Sequence, residues 1–160
     1  MAYLIDGSNL LGFLFPDAFR ESASKHSLAA RLALFQKQKR SKVILIFDGP
    51  PDANLERRYL PRPKFVLRFP EPGDDADEII KEMIDKQTDT RRFFVVSSDR
   101  EIKEYARAHR AKILSCEAFA KEMKKTLKEY RNTHKNDKKP EFPTPFEVRQ
   151  WEEIFREKDD

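Results

Sequence analysis

Three aspartates stand where short apolar runs end. Asp6 follows Ala2-Tyr3-Leu4-Ile5, Asp48 follows Val43-Ile44-Leu45-Ile46-Phe47, and Asp99 follows Phe93-Phe94-Val95-Val96 by way of Ser97-Ser98. A fourth acidic stretch, Asp74-Asp75-Ala76-Asp77-Glu78, opens an amphipathic segment. Carboxylates meeting in one cleft repel one another unless a cation neutralises them. Hard divalent ions, Mg2+ or Mn2+, take oxygen ligands and keep some of their water. Such an ion acidifies water and stabilises charge on a phosphodiester during in-line displacement. The chemistry this pattern suits is metal-dependent cleavage of nucleic acid, with basic residues nearby to hold the phosphate backbone.

Each acid also has a purely structural use. Asp48-Gly49-Pro50-Pro51 makes a good turn. Ser98 with Glu101 forms a capping box that puts Asp99 in the first helical turn. Asp77 suits the start of its helix, and Asp6-Gly7-Ser8-Asn9 can be a loop with a helix cap at Ser8 or Asn9. Helix geometry separates the fourth cluster further. At about 100° per residue, the stripe of Ala76, Ile79, Ile80, Met83 and Ile84 centres roughly 90° from Asp77. Asp74 and Glu78 point about 150° or more away and face solvent. Asp77 is expected at the edge of the buried face, where it can turn into a cleft.

The elements that must position these groups follow from the hydropathy pattern. Strands are expected at the three runs above, at Phe65-Val66-Leu67-Arg68-Phe69, and more weakly at Lys112-Ile113-Leu114. Continuous apolar runs indicate strands covered on both faces, as in parallel sheets. Helical spacing occurs over 26–40 (Leu28, Leu32, Phe35), 75–88, 99–110 (Ile102, Tyr105, Ala106, His109) and 116–130 (Phe119, Ala120, Met123, Leu127, Tyr130). This alternation predicts an α/β fold of three layers around a central, mostly parallel five-stranded sheet, with right-handed crossovers. In such open sheets ligands bind beyond the carboxyl ends of the strands, where Asp6, Asp48 and Asp99 lie. Past Tyr130, residues 131–145 are polar and punctuated by prolines and read as a linker. Residues 146–160 form a tail, with a short helix at 146–156 that carries Val148, Trp151 and Phe155 on one face.

The chain has 160 residues and a formal net charge of +4, with a mean hydropathy of −0.78. No apolar run approaches the roughly 18 residues of a membrane span, so no membrane partner is expected. The start shows no export signal, and one cysteine excludes an internal disulfide framework or a Cys-based zinc cluster; the reducing cytoplasm is the expected compartment. Charge is uneven. Residues 71–99 hold nine acids against four bases, while 121–139 hold eight bases against three acids. An acidic block inside a basic chain suits a site for cations and a polyanion together, although solvated helix faces produce the same count. Four glycines and the lack of a Gly-x-x-x-x-Gly-Lys loop leave no nucleotide-cofactor fingerprint. His26, His109 and His134 show no ligand spacing, and Cys116 reads as a small buried residue rather than a nucleophile.

The segment Tyr3-Leu4-Ile5-Asp6-Gly7-Ser8-Asn9-Leu10-Leu11 resembles the opening motif of PIN-like nucleases, a group that includes the NYN and flap-type 5′ nucleases. Ile46-Phe47-Asp48-Gly49, Ala76-Asp77-Glu78-Ile79-Ile80 and Val95-Val96-Ser97-Ser98-Asp99 follow in that group's order. The whole is most similar to the YacP-like NYN family, bacterial proteins that include a ribosome-associated endoribonuclease. The resemblance covers residues 1–130 as a PIN-like NYN nuclease domain, and Trp151-Glu152-Glu153-Ile154-Phe155 also resembles family C-termini. It implies a PIN-like fold and gives Asp6 and Asp77 metal-ligand or catalytic roles, with Asp48 and Asp99 completing the acidic centre and Asp99 a third metal ligand. Asn9 is implied to orient a ligand or touch phosphate, with Ser8 and Ser98 beside it at the substrate. Ser8 stands where many members have an aromatic residue, which removes a stacking contact there.

Arg57-Arg58-Tyr59, followed by Arg62 and Lys64, mixes cations with an aromatic in an expected loop and is a candidate RNA contact. The leading expectation is a metal-dependent endoribonuclease acting on mRNA or rRNA, with the ribosome as a partner and Mg2+ or Mn2+ as cofactor. The alternative is a non-catalytic RNA- or ribosome-binding module of the same fold. An aspartyl-nucleophile phosphatase fits less well, because that chemistry wants a second acid where Ser8 stands.

Overall fold

The computed structural model describes residues 1–59 and 62–134. Its elements run β1 (Ala2–Asp6), α1 (Gly7–Leu14), α2 (Ser22–Lys39), β2 (Lys42–Ile46), α3 (Ala53–Tyr59), β3 (Phe65–Arg68), α4 (Ala76–Asp85), β4 (Phe93–Val96), α5 (Arg100–Ala108), β5 (Lys112–Leu114) and α6 (Cys116–Thr133). All five apolar runs become strands of one sheet, ordered β3-β2-β1-β4-β5. Every pairing is parallel, so the sheet is wholly rather than mostly parallel among the described residues. α6 continues to Thr133, three residues past the expected boundary at 130. The rest of the expected linker and the helical tail with Val148, Trp151 and Phe155 lie outside the described residues.

Strand alternation divides the core in two. Tyr3, Ile5, Val43, Leu45 and Val96 face one layer, where Leu28, Leu32 and Phe35 of α2 meet Phe119, Met123 and Leu127 of α6. Leu4, Ile44, Ile46, Phe93 and Val95 face the other, under Ile80 and Ile84 of α4 and Ile102 and Ala106 of α5. Burying each large side chain contributes about 1.5–3 kcal/mol, so neither face can be left uncovered. The first layer is rich in rings. Tyr3 meets Phe35 edge-on at 5.2 Å and stacks on Phe94 at 5.2 Å, and Phe35 meets Phe119 at 5.2 Å.

Two helices depart from the sequence expectations: α1 starts before the helix cap expected at Ser8 or Asn9, and α3 stands where a loop was expected. α1 starts directly from β1 with no intervening loop, because Asp6 is both the last strand residue and the helix N-cap. Only glycine fits next: a Cβ at Gly7 would lie 2.7 Å from Phe47 Cδ1 and 2.8 Å from the Ile46 carbonyl oxygen. α3 replaces the loop expected at Arg57-Arg58-Tyr59. Its start is held by Asp52, whose Oδ1 accepts from the Leu55 amide at 3.1 Å.

Candidate active site

The strand order makes β1 and β4 the point where the chain, having built outward through β2 and β3, turns back to the other side. In such sheets the carboxyl ends at this switch point are the usual ligand position. Because Ile5 pairs with Val96, Asp6 and Ser97 leave their strands side by side. The Ser97 hydroxyl donates to Asp6 Oδ2 at 3.0 Å and accepts from the Asp99 amide at 3.0 Å. Asp6 Oδ1 accepts from the Asn9 amide at 3.3 Å. Asp6 is only 6% exposed and Ser97 is fully buried.

Asp99 caps α5, its Oδ1 accepting from the Ile102 amide at 3.2 Å. This corrects the capping box expected from Ser98 and Glu101. Ser98 Oγ instead accepts from the Cys116 amide at 3.2 Å, and Glu101 pairs with Lys81. Asp77 lies in the first turn of α4, half-buried, with Asp74 and Glu78 exposed as the helix geometry required. α4 packs across β1 and β2 and against α5, which brings Asp77 towards the switch point from a third element.

The charges of these three acids act on each other. Burial pushes the Asp6 carboxyl up to about 6; hydrogen bonds from Asn9 and Ser97 oppose this, and the negative charges of Asp77 and Asp99 add to it. Asp77 is also raised, first by burial, then by Asp99, Asp75 and Glu101, against the pull of Lys81. Asp48 stands apart on the β2 side. It is exposed, and its amide donates to Ser8 Oγ at 2.9 Å.

The other motif residues tie the pocket together. Asn9 Oδ1 accepts from the Ser98 amide at 2.7 Å and from the Cys116 thiol at 3.0 Å, so one side chain joins α1 to the β4 loop and to the start of α6. Cys116 was read from sequence only as a small buried residue. Its thiol is buried, and that burial raises its pKa, which suits a donor and not a nucleophile. Nothing in the local sequence around Cys116 signals this link.

The donor set is all carboxylate, which suits a hard cation that keeps water. Among the described residues, however, no three His, Cys, Asp or Glu side chains stand close enough to share one ion. The three-ligand shell of Asp6, Asp77 and Asp99 is therefore not closed. An ion held here would take one or two of these carboxylates directly and reach the rest through water, a mode that Mg2+ commonly uses.

The basic candidates separate into two groups. Arg57 and Arg58, on α3, line a hollow of about 680 Å3 with Ser22, His26 and Asn54. Arg62 packs over the Tyr59 ring at 5.4 Å, and its charge adds to burial in lowering the pKa of Lys37 in the last turn of α2. Lys64 directly precedes β3, and its carbonyl accepts from Val43 at the start of β2. Arg62 and Lys64 thus lie at the amino end of the sheet, a strand length of about 13 Å from the acids. These two therefore stand at the end of the sheet opposite the acids. Of the histidines, His26 bonds Asp52 at 3.2 Å, His109 pairs with Asp85 and stacks on Tyr105, and His134 stacks on Tyr130.

No curated protein matches the sequence. Among solved structures, Rae1 (YacP) from Bacillus subtilis is similar at a TM-score of 0.62 and 18% identity, over 99% of this chain and 92% of that one. A tryptophan-to-leucine mutant of the same protein gives 0.63 and 17%, over 98% and 99%. At these identities the likeness shows the fold, a five-stranded parallel α/β sheet with its helices on both faces. The sequence model of the YacP-like NYN domain matches residues 3–156, nearly the whole chain. Fold, motif order and this match together place the chain in the YacP-like NYN domain family, a family of nuclease-like, RNA-related fold.

Proposed function

We propose that the chain is a metal-dependent endoribonuclease that hydrolyses RNA phosphodiesters at the β1–β4 switch point. The observation that carries this reading is the convergence of Asp6, Asp77 and Asp99 from three elements, each charge disfavouring the next. A fold does not gather repelling acids for stability, because each raised pKa makes the ionised folded state less favourable. Asp6 and Asp77 would hold Mg2+ or Mn2+, with Asp99 reached through water. When bound, the ion supplies neutralising charge and an acidified water for in-line attack.

The protein's own part is positional. Ser97 fixes the Asp6 carboxylate by donating to one oxygen, leaving the remaining lone pairs directed away from that bond. Asn9 uses its Oδ1 within the protein, so its amide nitrogen is the group left to donate to a phosphate oxygen. The exposed cations of α6, among them Lys124, Lys125, Lys128 and Arg131, support a ribosomal setting, where they would rest on rRNA while mRNA is cut.

The test is labelled RNA incubated with the purified chain, with Mn2+ or EDTA, and with or without ribosomes. Cleavage is expected with Mn2+, lost in EDTA, and reduced about a thousandfold in Asp77→Asn, with an unchanged or higher melting temperature. Normal cleavage by Asp77→Asn would end this assignment. RNA binding that survives EDTA with no cleavage under any condition would favour the non-catalytic binding module instead.

A further inference from the structure

Two hollows flank the start of α2, on the side of the acidic pocket nearest β2. One, of about 390 Å3, is lined by Ser8, Phe19, Arg20, Lys25 and Asp48 among others. The second is the α2–α3 hollow of about 680 Å3 that holds Arg57 and Arg58. Phe19, Arg20 and Lys25 line the first and Ser22, Ala23 and His26 the second, so one short stretch of chain supplies walls to both. Ser8 links them to the acids, since it lies two residues beyond Asp6 and its hydroxyl holds the Asp48 amide.

The chemistry lining this edge is specific. Phe19 is 37% exposed although the core seats the rings of Phe35, Phe47, Phe65, Phe93 and Phe119 with almost no exposure. The Arg20 guanidinium lies 5.2 Å from its centroid, and Lys25 lies 5.9 Å from the neighbouring Phe47 ring. Two acids border this edge: Asp48, exposed in the first hollow, and Asp52, which is occupied by Ser22, His26 and the Leu55 amide. Arg57 contacts Asn54 at 3.5 Å. An open aromatic face set among cations is how proteins hold unpaired nucleotides: the base stacks and the phosphates meet positive charge. A duplex cannot offer a base face to such a ring, because its bases are stacked on one another.

We propose that this edge is the track of a single RNA strand leaving the acidic pocket, with a base stacked on Phe19 and phosphates on Arg20, Lys25, Arg57 and Arg58. The inference rests on the nuclease reading above and adds that the substrate is single-stranded where it leaves the site. The ring lines the same hollow as Ser8.

The experiment uses the full chain carrying Asp77→Asn, so that the RNA survives, titrated against a short unstructured fluorescent RNA and against a duplex of the same sequence. Adding Phe19→Ala is expected to weaken single-strand binding roughly tenfold or more while duplex binding barely changes. Because the ring is exposed, the melting temperature should stay within a degree or two of the parent's. Phe19→Trp should restore binding and show fluorescence quenching on RNA addition, over the background of Trp151. Single-strand binding by Phe19→Ala equal to the parent's overturns the track, as does an equal loss for duplex and single strand. If the parent binds neither form, the track falls together with the nuclease reading. If the Phe19-dependent binding is seen but the wild type cuts nothing, the track stands and only the hydrolytic reading falls.

Discussion

The two ends of β1 each bury an oxygen, and burial raises the pKa of both. Near the amino end, the Tyr3 hydroxyl donates to Glu122 Oε1 at 3.0 Å, and burial with the Glu122 charge drives its pKa upward. At the carboxyl end, Asp6 is driven up to about 6. The physical effect is the same, yet its consequences are opposite. A phenol is neutral at pH 7 in any case, so its upward shift leaves stability there unaffected. A carboxylate is charged at pH 7 in water, so the same burial makes its ionised form unfavourable in the folded chain. One strand therefore has an end that consolidates the fold and an end where stability is given up.

Replacing Asp6 by Asn is the strongest way to break this contrast. Cleavage is expected to drop by about a thousandfold or more, the scale of metal-dependent charge stabilisation. Stability should move the other way. The folded pKa of Asp6 exceeds its ordinary value of 3.8, so the carboxyl costs no stability when protonated below pH 4, its cost grows as pH rises towards 6, and it is a constant penalty above. The variant's advantage over wild type should be near zero at pH 4 and reach about 3 kcal/mol above pH 7, from a shift of about two units at 1.36 kcal/mol each. Chemical denaturation across this range checks both numbers. A variant less stable than wild type at pH 8 would mean that the carboxylate is not strained.

At the consolidating end, Phe35→Ala should lower stability by about 3–5 kcal/mol, through lost burial and the cavity left among Tyr3, Phe119 and the helices. Turnover per folded molecule should be unchanged. If it fell as far as in Asp6→Asn, the two ends would not be separable. Gly7→Ala is a smaller and mixed case. Its Cβ would press on Phe47 and on the Ile46 carbonyl, costing about 1–3 kcal/mol as overpacking does, and the forced shift of α1 should slow cleavage by moving Asn9. Smallest of all is Arg62→Ala with Lys64→Ala, at the amino end of the sheet. RNA cleavage should change by less than about twofold, within the scatter of surface substitutions, while Arg57→Ala with Arg58→Ala should weaken substrate capture measurably in KM.

The strands and their terminal acids were legible because buried parallel strands are continuous apolar runs, and a run that ends in Asp marks the strand's carboxyl end. Asp77 was separable from Asp74 and Glu78 by the angle it makes with the Ile80–Ile84 stripe, and the fold agrees. Short elements were not legible. α1 opens with Gly-Ser-Asn, which signals a loop, and becomes helical only because Asp6 caps it and Phe47 closes over Gly7. α3 is seven residues long, too short to show a period. The cap at the start of α5 was misplaced by one residue, because Ser98 and Asp99 are both good caps and the choice is made by Cys116, which takes the Ser98 hydroxyl. The placement of Arg62 and Lys64 could not be read either, since proximity in sequence to Arg57 concealed a helix that carries the chain to the far end of the sheet.

The bond between Ser97 and Asp6 spans 91 positions in sequence, and that between Cys116 and Asn9 spans 107. During synthesis the first aspartate therefore emerges long before the hydroxyl that orients it, and Asn9 long before the thiol that anchors it. A nascent chain that has not reached Cys116 lacks the thiol that anchors Asn9. The geometry of the site therefore arrives late: Asp6 and Asn9 gain their partners only once β4 and the start of α6 are in place.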